Sequence, residues 1–309
     1  MKRHNRICVK DAVNHCYQRT LDGFLLFYTV FDYLVFFTLL CTVAPLHDVR
    51  VIAASLMPDH THLSAVAPDR VQLWRCMQQL LSMFAKEQNA ALHRKGSLFK
   101  SPFGSAPKTT DKKIRTNIAY VANNPVERHL VHKAEDWKWT FLAYAISDHP
   151  FSKPINRSRA SPAMKKALAI VDSTYAEGYH LKYRVLLKLF SPLSDEECNQ
   201  LTDYIISKYS IIDHQTAISY FGSYEKMLMA IHSNTGSEYD LKESFTGKRD
   251  DVYKKMTDLL MGTGRFIDIH DVLGLNADEK IKLFNYLQGK TEATPKQIAK
   301  FLRMKYTTQ

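Results

Sequence analysis

The stretch LMPDHTHLSAV, residues 56–66, places His60 and His62 one residue apart directly after an apolar run. Side chains alternate along a strand, so on a strand both imidazoles point to one face while Thr61 points to the other. Two imidazoles that close can share a divalent cation. Hydrogen-bonded strand histidines are the other use of the same pattern. The pair alone does not choose between them; the surrounding chain has to.

Several elements must position the pair. VRVIAASLM (49–57) reads as a core strand that turns at Pro58-Asp59 into a second strand, HTHLSAV. Ahead of it, HCYQRT (15–20) and FLLFYT (24–29) are separated by LDG and read as a hairpin. DYLVFFTLLCTVA (32–44) is long and lacks alternation, which predicts a buried helix. The apolar run 24–40 is short for a membrane span, and Asp32 near its centre would cost roughly 2.5–3.5 kcal/mol there, so no membrane association is expected. Leu73, Met77, Leu80, Leu81 and Phe84 fall on one helical stripe. DKKIRTNIAYVANN (111–124) predicts a helix capped by Asp111 and stopped by Pro125. The order of elements predicts an α+β domain, helices packed on an antiparallel sheet.

The composition is that of a folded chain: 45% hydrophobic, 24% charged, with 16 Tyr and 16 Phe, which excludes disordered and collagen-like classes. A formal charge of +11 over 309 residues points to a polyanionic partner. The excess is larger in residues 1–150 (19 Lys+Arg against 12 Asp+Glu) than in 151–309 (23 against 19). It peaks in HRKGSLFKSPFGSAPKTTDKKIR (93–115), where Arg94, Lys95, Lys100, Lys108, Lys112, Lys113 and Arg115 face one acid, Asp111. Gly and Pro in that run predict a loop able to follow a phosphate backbone. Five cysteines without a CxxC pair fit reduced thiols, and MKRHNR lacks a following apolar segment, so a cytoplasmic protein without a signal peptide is expected.

Taken together, LMPDHTHLSAV, the downstream FGSAPK and the stretch IAYVANNPVERHLV…EDWKWTFLAY resemble the single-tyrosine HUH transposases, and most closely the REP-associated tyrosine transposases. In that family the histidines follow a Met-Pro-Asn/Asp turn, and the nucleophilic tyrosine opens a Tyr-Ile-His-x-Asn-Pro-Val segment. The matching positions are His60, His62 and Tyr120, with Asn124 in the place of the third metal ligand. Thr61 stands where a large hydrophobe is usual, and Ala122 where the family has a histidine. The resemblance covers about the first 145 residues and implies a ferredoxin/RRM-like antiparallel sheet with helices on it. It also implies a bound Mg²⁺ or Mn²⁺. The implied reaction is cleavage and rejoining of single-stranded DNA beside REP-like hairpins, through a 5′-phosphotyrosine on Tyr120. Tyr120 and Asn124 lie one helical turn apart, which lets phenol and amide meet one space. A monomer or homodimer associated with the nucleoid is the implied setting.

The Pro- and Ser-rich stretch SDHPFSKPINRSRASP (147–162) predicts a linker at 151–162 between a catalytic domain (1–150) and a helical domain (163–309). In the latter, Ser194…Glu197 and Thr294…Gln297 have capping-box spacing, and 277–304 resembles a helix-turn-helix, with plain packing as the alternative. Two further functional readings compete. An amidohydrolase-type metal hydrolase shares Asp-x-His-x-His but needs strands and helices alternating throughout. A non-catalytic binder of hairpin DNA would keep the fold without the reaction.

Overall fold

The computed structural model describes residues 8–99, 102–233 and 249–305. Its first part runs β1 (Val13–Arg19), α1 (Val30–Val43), β2 (Arg50–Met57), β3 (His60–Val66), α2 (Arg70–Ala91), β4 (Gly104–Lys108) and α3 (Asp111–Glu127). The strands form one antiparallel sheet in the order β2-β3-β1-β4. The rest is helical: α4 (Pro162–Ala176), α5 (Tyr183–Phe190), α6 (Asp195–Tyr209), α7 (His214–Ser219), α8 (Tyr224–His232), α9 (Asp251–Gly262), α10 (Asp271–Gly274), α11 (Ala277–Lys290) and α12 (Pro295–Phe301). The protein is therefore α+β.

One face of the sheet builds the main core. Cys16, Ala54, Leu56, Leu63 and Ala65 meet Phe36, Leu39 and Leu40 of α1 and the stripe Leu73, Met77, Leu80, Leu81 and Phe84 of α2. Helices α4, α5 and α6 add Leu168, Leu186 and Ile205 to the same cluster. Each fully buried Leu or Phe contributes about 1.5–3 kcal/mol of transfer free energy. The opposite face carries a smaller cluster in which Ile52 meets Ile118 and Ala122 of α3, with Ala217 of α7 and Ile231 of α8 beyond them. Helices α9, α11 and α12 form a third cluster that reaches back to Leu25.

Helix α1 is apolar all round because other elements surround it. Its window Val30–His47 is long and apolar enough to cross a membrane by length and composition, and 67% of that window is buried inside the protein. Asp32 explains how a carboxylate fits there. It accepts from the Tyr28 and Thr29 amides at 2.8 and 2.9 Å, at the helix N-terminus. Tyr183 of α5 donates to it at 2.5 Å, and His270 Nε2 lies 3.0 Å away.

Four local expectations fail, each for a physical reason. Residues 24–29 do not pair with β1: both edges of β1 are taken, by β3 and β4, and Leu26 and Phe27 instead donate to Pro58 O at 2.7 and 3.0 Å. The basic run is not a loop throughout, because Gly104–Lys108 is a strand against β1. Its Gly-Ser-Ala-Pro composition hides it from propensity, and Pro107 is tolerated on an edge strand. Helix α3 passes Pro125 and ends at Glu127; the proline falls in the last turn, where a missing N–H removes one bond only. The stop is His129, at φ 56°. Finally, Thr110 rather than Asp111 caps α3, its hydroxyl accepting from Lys113 N at 3.3 Å.

Candidate active site

The two-residue turn Pro58-Asp59 starts β3 at His60, which fixes the alternation. Leu63 and Ala65 go to the α1–α2 core, while His62 and Ser64 reach α3. The register sets Tyr17 opposite His62 and His15 opposite Ser64, so His15 and Tyr17 share that face. From above, α3 lowers Asn117, Tyr120 and Asn124, a stripe at one-turn spacing. Ser64 donates to Asn117 Oδ1 at 2.8 Å, which sets the helix on the strand.

Both histidines are held through Nδ1. His62 Nδ1 lies 2.9 Å from His15 Nε2, with the rings stacked at 5.1 Å. His60 Nδ1 lies 2.5 Å from Asp59 Oδ1. The Asp59 carboxylate holds His60 with its proton on Nδ1 and a lone pair on Nε2, and the His15 contact fixes the His62 ring, whose Nε2 carries a lone pair when His62 Nδ1–H is the donor to His15. Among the described residues His60 Nε2 is buried with no hydrogen-bond partner, and so is Asn124 Oδ1. His62 Nε2 lies 3.3 Å from Asn124 Nδ2, and half a turn of the amide exchanges its oxygen with its nitrogen. Each orphaned polar atom costs about 1–3 kcal/mol, a penalty that a shared cation would offset.

The donor set therefore fits a small divalent cation: two imidazole nitrogens and one amide oxygen. Among the described residues no group of three His, Cys, Asp or Glu could hold a metal, so any centre here depends on the amide. Burial, followed by the nearby His60 and His15, pushes the His62 pKa well below 6.5, which keeps its imidazole neutral as a ligand must be. At Asp59 burial pushes the carboxyl up, but His60 and Lys300 together outweigh it and hold the group well below the usual carboxylate range.

Tyr120 stands edge-on to this pair, its ring centroid 5.3 Å from that of His62 and 5.6 Å from that of His15. The site is closed: His60, His62, Tyr120 and Asn124 are 5%, 0%, 4% and 4% exposed. At its rim the Tyr17 ring lies across β4, where a Cβ on Gly104 would come within 2.2 Å of it, so a side chain there would displace the Tyr17 ring.

The basic residues do not all gather. Lys112, Lys113 and Arg115 are exposed on the first turns of α3, and Lys108 is half-buried on the neighbouring β4. Lys95 is exposed just past α2, while Arg94 is half-buried near Tyr28 and Arg303. Lys100 lies outside the described residues. The indoles of Trp137 and Trp139 are used internally: Trp137 Nε1 donates to Leu56 O at 3.1 Å, and Trp139 stacks on Tyr33 at 4.4 Å.

Sequence reasoning missed His15, Asn117 and the contact of Lys300 with Asp59. His15 had a signal, since HCYQR alternates and puts His15 and Tyr17 on one face. The Lys300–Asp59 pairing had none, because it spans 241 positions of chain.

The sequence matches no protein-family model and no curated protein. Among solved structures it is similar to a REP-associated tyrosine transposase bound to a REP hairpin, at 16% identity and a TM-score of 0.42, over 47% of this chain and 86% of that one. A likeness at that level leaves the chemistry to the residues themselves.

Proposed function

We propose that the chain is a single-tyrosine HUH-type DNA transposase, an enzyme that cleaves and rejoins single-stranded DNA beside hairpins with the help of a divalent cation. The observation that carries it is the pair of orphaned buried atoms, His60 Nε2 and Asn124 Oδ1, beside His62 Nε2, with Tyr120 on the same helix as the amide. The order β1-α1-β2-β3-α2-β4 supports reading the sheet as ferredoxin-like. It also removes the amidohydrolase alternative, which requires a parallel sheet with helices between successive strands.

His60, His62 and Asn124 would hold Mg²⁺ or Mn²⁺, which when bound supplies polarisation of the scissile phosphate. Asp59 holds the His60 ring with its Nε2 lone pair available, and His15 holds the His62 ring, whose Nε2 is available when His62 Nδ1–H donates to His15. Tyr120 Oη attacks phosphorus: the Oη–P bond forms, the P–O3′ bond breaks, the phenol proton leaves to solvent and O3′ takes a proton up. The phosphodiester is conserved as a 5′-phosphotyrosine, so a free 3′-hydroxyl can reverse the step without nucleotide hydrolysis. Lys112, Lys113 and Arg115 add positive charge at the N-terminus of α3, which itself favours phosphate. A cytoplasmic setting on the nucleoid, as a monomer or homodimer, belongs to the same proposal.

The burial of Tyr120 favours a second reading, a hairpin-DNA binder without catalysis, because a strand reaches the phenol only after its cover withdraws. Cleavage of labelled hairpin-containing single strands separates the two. The enzyme reading expects Mn²⁺-dependent cleavage that EDTA stops and that His60→Ala and His62→Ala abolish. Binding with no cleavage under any cation leaves the second reading.

A further inference from the structure

Asp59 holds His60 Nδ1 with one carboxylate oxygen, and the His60 ring stands edge-on to His62. Its other oxygen, Oδ2, accepts from Lys300 Nζ of α12 at 2.7 Å. The pair is secluded, with the Asp59 and Lys300 side chains 10% and 19% exposed. The Lys300 stem crosses Gly23, where a Cβ would sit 3.3 Å from Lys300 Cε, and Gly23 has a φ of +69° that favours glycine. A second tie meets the other half of the site: Asp250 N donates to Arg128 O at 2.8 Å, at the end of the helix that carries Tyr120 and Asn124. Gln297 of α12 donates to the neighbouring Arg249 O at 2.6 Å. One short helix near the C-terminus thus touches the supports of both the strand ligand and the helix ligand.

Resting on the proposed cation site, we infer that Lys300 is a positioning residue: it orients the Asp59 carboxylate, and through it His60 Nε2, so the C-terminal helices belong to the cation site rather than only to the fold. A carboxylate with two acceptor oxygens can rotate about its stem unless both are engaged. The Lys300 ammonium engages the outer one and leaves the inner one aimed at His60 Nδ1. Outer partners of this kind commonly set cation affinity by about 10–100-fold.

The test is a double-mutant cycle read by Mn²⁺ binding to the full chain, followed by electron paramagnetic resonance of free Mn²⁺. Lys300→Met keeps the stem over Gly23 and removes the ammonium, so Mn²⁺ affinity should fall about 10–100-fold, while Lys300→Arg should recover most of it. Because Lys300→Met leaves a buried carboxylate unpaired and could fail to fold, the cycle includes Asp59→Asn, which keeps an acceptor for His60 and removes the charge. In the Asp59→Asn background Lys300→Met should change Mn²⁺ affinity less than threefold. An equal loss in both backgrounds, or wild-type affinity in folded Lys300→Met, overturns the positioning role. If the unsubstituted chain binds no Mn²⁺ that His60→Ala removes, it is the cation site itself that falls.

Discussion

The buried pair of Asp32 and His270 allows a test of how the C-terminal helices are held to α1. His270 Nε2 lies 3.0 Å from Asp32 Oδ2 and its Nδ1 lies 2.8 Å from Asp268, with the His270 and Asp32 side chains only 7% and 0% exposed, so solvent screens the pair little. Burial pulls the His270 pKa down, but Asp32 and Asp268 outweigh it and raise it to about 10. A raised folded pKa gives stability that is fully present below the unfolded value of about 6.5 and is lost as pH rises through about 10. Asp32, held at about 2 by His270 and its donors against the push of burial, loses its share only in acid, as pH falls from about 4 to about 2. His270→Gln keeps a donor and removes the charge. Breaking a buried pair costs about 3–5 kcal/mol, and the lower figure applies because Tyr183 and two backbone amides still serve Asp32. Urea unfolding of both proteins should give a difference of about 3 kcal/mol at pH 6.5. Between pH 7 and 9 that difference should shrink by about 2–3 kcal/mol, since the unsubstituted chain loses about 1.4 kcal/mol per pH unit from this one proton. Other titrating groups cancel in the comparison. A difference that stays flat from pH 7 to 9 would refute a protonated His270.

Further outcomes are expected at the site and on its surface. His15→Phe keeps the ring and removes the partner of His62 Nδ1, so Mn²⁺ affinity should drop about 10–100-fold by calorimetry, and unchanged affinity would exclude His15 from holding the ligand. Replacing Lys112, Lys113 and Arg115 together by alanine should make the slope of log affinity for single-stranded DNA against log salt shallower by about 2, measured by fluorescence anisotropy. An unchanged slope would take the exposed start of α3 out of the DNA contact.

How much of this could be read from the chain depends on the range of the interactions involved. The strands β2 and β3, the α2 stripe and the helix with Tyr120 and Asn124 are local patterns, and they fold as their periodicity predicts. The same local pattern misled at FLLFYT, whose β-like composition serves a core segment because β1 already has two neighbours. It also hid β4, a strand with poor propensity that exists because β1 offers it an edge. Asp32 reads in sequence as a liability in an apolar run; its partners Tyr183 and His270 lie 151 and 238 positions away. The histidine pair was legible from alternation, and the identities of Tyr120 and Asn124 came from the Asn-Pro-Val context. Of the groups that hold these residues, His15 had a signal in the alternation of HCYQR, whereas Lys300 to Asp59 is a contact of tertiary structure alone.

The most direct measurement concerns the nucleophile. Hairpin-containing single-stranded DNA would be incubated with the full chain and Mn²⁺, the products denatured and digested, and the DNA-linked peptide sequenced by mass spectrometry. A 5′-phosphotyrosine on Tyr120, absent from the Tyr120→Phe chain while that variant still binds the DNA, is the expected result. Cleavage with no covalent adduct, or an adduct on any other tyrosine, would contradict the assignment of Tyr120 and with it the proposed reaction.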